Sequence, residues 1–518
     1  MSSVSSVLSG ARVPTQLTHF SREWAANPKA DLLSGLVVAL ALIPEAISFS
    51  IIAGLDPKVG LYASFSIAIV IAFTGGRRGM ISAATGAMAL VLVPLVAQYT
   101  DDPALALGYV FAATILAGLI QMGMGYLGIG SLMRFVPRTV MLGFVNALAI
   151  LIFMAQIPHI LLNDDGGVEG SVLLLNLGFI AAGLAIIYGL PRFSTTVPSP
   201  LVAIVALSGL AVGFDLNLPT VGDMGELPGS LPIPSLPQVP WNFGTLEIIL
   251  PVAITLALVG LLESLLTAQL LDDLTDTDSD KNIESTGQGI ANVVTGFFGG
   301  MAGCAMIGQS MINHRSGGRT RLSTLASGVF LLILILALGN WVAQIPMAAL
   351  VAVMIMVAVG TFNWGSIKLE TLRTLPVEES VVMAGTIAIV VLTHNLAYGV
   401  AAGVLLSAIF FVRQVAWVVR VTSVVDPDNV ERLYAVTGEL FFASTNDLVH
   451  QFDYDNVKVR RAEIDLSEAR VWDTSAVVAL DAVVAKFAER GIEAHLVGLN
   501  RHAEELHSNA SGKVSVGH

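Results

Sequence analysis

The sequence predicts a polytopic α-helical membrane protein of fourteen spans followed by a small cytoplasmic α/β domain, and three observations predict it. Of 518 residues, 54% are apolar and only 13% charged, which is about half the charge of a soluble protein. Fourteen apolar stretches succeed one another between residues 32 and 417. Lysine and arginine gather in alternate loops. A single cysteine excludes a disulfide scaffold and a zinc module. A net charge of −13 with no basic footprint excludes nucleic acid as a partner.

Residues 1–30 are polar and carry Arg12, Arg22 and Lys29 without an apolar core, so they read as a cytoplasmic segment and not as a cleaved signal peptide. The apolar stretches lie near 32–53, 57–74, 80–99, 104–129, 137–156, 171–190, 198–213, 246–270, 283–299, 301–316, 319–338, 346–362, 376–393 and 397–417. Those near 80 and 301 are glycine-rich and shorter than the ~20 residues that cross a hydrocarbon core, so broken or re-entrant elements are expected there. With the N-terminus inside, loops after even-numbered spans hold Arg77, Arg78, Arg134, Arg138, Arg192, Lys281, Arg315, Arg319, Arg321, Lys368 and Arg373. Loops after odd-numbered spans hold only Lys58. Because cytoplasmic loops collect Lys and Arg, both termini are expected in the cytoplasm. The Pro- and Gly-rich segment 214–245, with Asp215, Asp223 and Glu226, is then expected outside. The transport domain so defined covers 31–420, and a plasma membrane, that of a bacterial inner membrane, is its expected location.

After Val421 the composition turns soluble. Strands are expected at 433–443, 457–466 and 494–499, and a helix at 474–490 carries Val477, Leu480, Val484 and Phe487 on one apolar face. Residues 421–518 therefore read as a separate folded α/β domain. Asp473 stands where an N-cap of that helix belongs, and Ser475 beside it is a candidate regulatory phosphorylation site.

Two carboxylates carry the chemistry. Glu45 sits deep in the first span, after Pro44 and four residues before Phe49, and Glu263 sits deep in the eighth. A charge at that depth costs about 2.5–3.5 kcal/mol, so such a residue faces a cavity, holds a cation or takes a proton. The short third span, Gly79 to Met88, and the short tenth, Gly299 to Ser310, recur at nearly one offset. Glu45 precedes Gly86 by 41 residues and Glu263 precedes Gly308 by 45. The pattern is a 7+7 internal repeat, with repeats near 31–213 and 246–417. Interrupted helices at matching places point to a midplane anion site built from half-helix N-termini. The lone Cys304 reads as a small buried filler, and the acidic run from Asp272 to Asp280 as a solvated loop.

The stretch from Asp31-Leu-Leu-Ser-Gly35 through Pro44, Ala53-Gly54, Pro57 and Gly60-Leu-Tyr62 resembles the signature of the SulP anion transporters, relatives of solute carrier family 26. Gly260-Leu-Leu-Glu263-Ser-Leu-Leu-Thr267, Gln288 to Asn292, Gly299-Gly300, Asn313 and Ser316 to Thr320 resemble it too. The C-terminal part resembles a STAS domain, with Asp473-Thr-Ser475 at its Asp-Ser-Ser position. The resemblance implies a 7+7 inverted repeat divided into core and gate domains, alternating access, and a homodimer. It implies substrate contacts at Glu45, Phe49, Gly86, Ile307, Gly308, Gln309 and Ser310. Glu263 and Thr267 match the place where sodium-coupled bicarbonate members hold their cation. Two residues depart from the pattern. Gln309 stands where many members carry arginine, and Glu263 where sodium-coupled members carry aspartate. The first leaves compensation of the substrate's charge to a co-transported cation, and the second favours a proton over sodium, since a desolvated carboxyl takes a proton readily. The chain ends soon after Leu499, so the STAS domain is expected to be short and to lack its last elements.

The expected function is secondary active transport of a small inorganic or organic anion, namely sulfate, bicarbonate or a dicarboxylate such as fumarate, by proton symport. No enzyme activity and no cofactor are expected, and the energy would come from a proton or sodium gradient. Sodium-coupled bicarbonate symport is the first alternative. A membrane-tethered STAS signalling scaffold that transports nothing is the second.

Overall fold

Each of the fourteen apolar stretches contains a helix, and proline or a side-chain oxygen marks where many of them begin. The computed structural model describes residues 23–511 except 25, 129, 131–135, 162–169, 194–197, 417, 429 and 455–458. Most of the segment expected over 1–30, with Arg12 and Arg22, and also Arg134, lies outside the described residues. Helix α1 (Pro28–Ile52) starts with Pro28 at its first position, and Asn27 accepts the Ala30 N–H at 3.3 Å. Pro57 opens α2 (Pro57–Thr74) and Pro103, behind the capping Asp102, opens α4 (Pro103–Tyr126). Between them lie strand β1 (Ser82–Ala84) and helix α3 (Gly86–Ala97). Helices α5 (Arg138–Met154), α6 (Gly170–Gly189) and α7 (Ser199–Gly213) complete the first half.

The second half repeats the order. It comprises α8 (Phe243–Thr275), α9 (Lys281–Phe297), strand β2 (Gly303–Ala305), α10 (Ile307–Arg315), α11 (Arg321–Ala343), α12 (Met347–Thr361), α13 (Val377–Thr393) and α14 (Leu396–Ala416). Eight of the described helices are long and apolar enough to cross a membrane. The stretches near 80 and 301 are not simple spans: each is a three-residue strand followed by a short helix.

The packing shows the repeat directly. Helix α1 packs on α11 as α8 packs on α4, and α2 packs on α11 as α9 packs on α4. In a second group, α5 packs on α13 as α12 packs on α6. Spans one to four and eight to eleven thus form one bundle, and five to seven with twelve and thirteen form another. Strands β1 and β2 pair antiparallel, with Ser82 opposite Ala305, Ala83 opposite Cys304 and Ala84 opposite Gly303. Antiparallel pairing of matching segments is what an inverted second half requires.

Extended backbone inside such a bundle must find partners, because there is no water to supply them. Side chains of the surrounding helices do so. Ser64 accepts the Ala84 N–H at 3.3 Å, Ser264 the Ala305 N–H at 3.0 Å and Asn292 the Gly303 N–H at 2.9 Å. Gln288 and Asn292 donate to the Gly303 carbonyl at 3.2 and 3.1 Å. Only glycine fits at 303, since a Cβ there would lie 2.2 Å from the Ala83 carbonyl oxygen.

The chain divides into two compact units between Gly403 and Val404, inside α14. The second unit contains a four-stranded sheet of β3 (Arg420–Val425), β4 (Glu431–Leu440), β5 (Arg461–Val471) and β6 (Glu493–Val497) in that spatial order. The pair β3–β4 is antiparallel, and β4–β5 and β5–β6 are parallel. Helix α16 (Thr474–Ala488), preceded by the short α15 (Thr445–His450), buries Val477, Leu480, Val483 and Phe487 against Tyr434, Ile464 and Leu466. Burial pushes the Tyr454 phenol in this core up to about 12, despite nearby Arg490. Helix α17 (Arg501–Ala510), capped by Asn500, closes the unit with Ala503 and Ala510 in its core.

Candidate substrate and coupling site

The strand pair fixes two short helices, α3 and α10, whose N-terminal ends both start from it. Thr85 caps α3, its hydroxyl accepting the Met88 N–H at 3.4 Å. Met306 brings no side chain to cap α10, so the first N–H groups of that helix lack a capping acceptor. The α10 end is anchored from the side, where Ser310 accepts the Ile81 N–H at 3.0 Å and Met306 donates to the Ile81 carbonyl at 2.8 Å.

Glu45 is buried and accepts a hydrogen bond from the Gln309 side-chain amide, which joins the first-span acid to the second half-helix. Phe49, one turn further along α1, is also buried, and its ring lies 3.0 Å from where a Gly86 Cβ would stand. Ile152 of α5 closes the same spot at 3.1 Å. At Gly308 a Cβ would meet nothing within 4 Å. Ile307 is half-buried beside it. All seven expected substrate residues are therefore gathered around the two helix ends, Ser310 with its hydroxyl turned to the Ile81 backbone.

Glu263 of α8 meets the strand pair at Cys304. Its carboxylate accepts from the Cys304 thiol at 2.9 Å, and that sulfur lies 3.1 Å from the Thr85 hydroxyl. Thr267 donates to the main-chain carbonyl of Glu263 at 2.8 Å. The three groups Glu263, Cys304 and Thr85 form a chain of exchangeable protons from α8 across β2 to the cap of α3. Among the described residues no cluster of three His, Cys, Asp or Glu side chains is placed to hold a metal ion.

The structure departs from the sequence reading in several particulars. Cys304 is a hydrogen-bond partner of the acid and not merely a filler. The signal that could have found it is its offset, 41 residues after Glu263, which equals that from Glu45 to Gly86. Thr85, Ser264 and Asn292 were likewise given no role by the sequence. Asp272 is not part of a solvated loop: it is buried between Arg77 Nε, at 2.9 Å, and Lys281. Asp273, Asp276, Asp278 and Asp280 are exposed, as expected. In the second unit Asp473 caps α16 by accepting the Ala476 N–H at 3.0 Å, and Ser475 is exposed in the first turn.

The fold is that of a membrane transporter. It matches the structure of the murine Solute Carrier 26 family member A9 anion transporter in the inward-facing state with a TM-score of 0.80, at 17% identity, over 98% of this chain and 92% of that one. The chain belongs to the sulfate permease family, which it matches over residues 29–173 and 170–385, and residues 421–511 match the STAS domain. It is 56% identical over 485 residues to the putative sulfate transporter YbaR of Bacillus subtilis (strain 168), covering 94% of this chain and 97% of that protein. It is 30% identical over 431 residues to the bicarbonate transporter BicA of Picosynechococcus sp., covering 79% and 74%. These relatives are named as transporters, not enzymes, and the chain is a multi-pass anion transporter of the SulP type.

Proposed function

We propose that this protein is a proton-coupled symporter of a small anion, sulfate, bicarbonate or a dicarboxylate, working by alternating access between its two helix bundles. The anion binds at the α3 and α10 ends, held by uncapped N–H groups of α10 with Gln309, and walled by Phe49 and Gly86. Glu263 carries the proton. The observation that carries this reading is the neighbourhood of Glu263, a thiol and a hydroxyl. Hard cations take several oxygen ligands, whereas this carboxylate meets a soft sulfur and the Thr267 hydroxyl turns to the backbone. Glu45 holds Gln309 until the anion takes its place. The protein acts as a homodimer in a bacterial inner membrane, with both termini cytoplasmic, and Ser475 is available for regulation.

The test is internal pH in proteoliposomes after addition of sulfate, bicarbonate, fumarate or succinate, with and without sodium, with a tracer control for bicarbonate. Acidification that needs no sodium and disappears in Glu263→Gln, while the variant still folds, is the expected result. Sodium-dependent tracer uptake without a pH change would make Glu263 and Thr267 sodium ligands instead. No uptake in any arm would leave the scaffold alternative standing.

A further inference from the structure

A second concentration of positive charge lies away from the strand pair, where the loops after α2, α8 and α10 meet. They enclose a cavity of about 470 Å³ lined by Arg77, Arg78, His314 and Arg319 together with the hydroxyl-bearing Thr275, Thr277 and Thr320, a size common among small-molecule sites. No acid lines it. Asp31, Asp272 and Glu284 hold its walls from behind. Asp31 accepts the Arg319 N–H at 2.8 Å and the Thr320 hydroxyl at 2.8 Å, and Glu284 accepts the Gly76 and Arg77 N–H groups at 2.7 and 3.0 Å.

The three arginines are held differently. Arg77 is committed, to Asp272 and to the Leu271 carbonyl at 3.0 Å. Arg319 gives its guanidinium to the carbonyls of His314 and Gly318. Arg78 has no hydrogen-bond or ion-pair partner for its guanidinium among the described residues, although it is half-buried beside Arg77. The half-buried guanidinium of Arg78 leaves its donors free toward the cavity, and planar donors of this kind match phosphate oxygens in pairs.

We propose that this cavity is a binding site for a phosphate group, separate from the transport site, with Arg78 as its principal ligand and Arg319 completing it. The phosphate comes either from a lipid headgroup or from a free phosphate, which use the same chemistry. The site is built onto the bundle that holds the strand pair. Asn313 of α10 donates to the Gly79 carbonyl at 2.8 Å, and its main-chain carbonyl accepts the Gly318 N–H at 2.9 Å, so both rims of the cavity are tied to that helix. Gln309 lies six residues before the end of α10 at Arg315, about 9 Å at 1.5 Å per residue, so the phosphate sits beyond the far end of the helix from Gln309.

The experiment uses the full chain in dodecylmaltoside micelles, which carry no phosphate, and follows its Tm in two arms, one titrated with inorganic phosphate and one with phosphatidic acid added to the micelles. The expected result is a rise in Tm in at least one arm, with the apparent affinity weakened about tenfold or more in Arg78→Gln and weakened less in Arg78→Lys, which keeps the charge but not the planar fork. A response confined to one arm identifies the source. Gln309→Ala separates the cavity from the transport site, because the phosphate response should survive in it. An unchanged response in Arg78→Gln, a response abolished by Gln309→Ala, or no response in either arm overturns the proposal.

Discussion

Gly86 and Gly308 stand at matching ends of two half-helices, yet their surroundings are opposite. Around Gly86 the ring of Phe49 and the side chain of Ile152 would crowd a Cβ at 3.0 to 3.2 Å, and Thr85 caps the helix. Around Gly308 there is open space, no side-chain cap, and the Gln309–Glu45 pair alongside. The repeat supplies two similar helix ends, and neighbouring side chains have closed one and left the other available. The open α10 end is where an anion would gain most from unsatisfied N–H groups. Glu263 and Cys304 sit next to the closed end, which in the proposed mechanism walls the anion that the open end holds.

The largest expected effect is that of Gln309→Ala. It takes away the amide at the open end and strips buried Glu45 of its hydrogen bond, a loss of about 1–3 kcal/mol, so initial uptake should fall about tenfold or more. Normal uptake in this variant would break the contrast by showing that the open end is not the working one. Next come Gly86→Val and Gly308→Val, which should separate stability from affinity. The first overpacks a filled spot at about 1–3 kcal/mol and should lower the Tm. The second should leave the Tm unchanged and raise KM, and a drop in Tm for both would show the two ends to be equally packed. Thr85→Ala removes a cap worth about 0.5–2 kcal/mol, and the Tm should report it, whereas Met306→Ala should lose nothing through capping. The smallest change is Cys304→Ser, which keeps a donor to Glu263. Its uptake should remain within about twofold of wild type, while Cys304→Ala shifts the pH dependence of uptake. Equal behaviour of the two would remove the thiol from the proton path.

What could be read from the sequence follows what is encoded locally. The helices announce themselves as apolar runs with prolines at their starts, and Glu45 and Glu263 stand out because charge is costly at their depth. The strands are different. Ser82-Ala-Ala84 and Gly303-Cys-Ala305 contain no β-branched or aromatic residue, so nothing local marks them. They exist because two distant segments pair and because Ser64, Ser264 and Asn292 satisfy what remains. The burial of Asp272 was hidden for the same reason, since one of its partners, Arg77, comes from another loop. Helix α17 was legible and overlooked: Asn500 followed by Ala503 and Ala510 is a cap and an apolar stripe.

The strand ladder also sets a schedule for making the protein. Thr85 and Cys304 are 219 residues apart and Glu45 and Gln309 are 264 apart. At ribosomal speeds of 5–20 residues per second, Glu45 waits roughly 15–50 s after its own synthesis for the residue that hydrogen-bonds it. During that interval the nascent first half carries an unpaired strand and an unpartnered carboxylate. The insertion machinery must shelter both until the second half arrives.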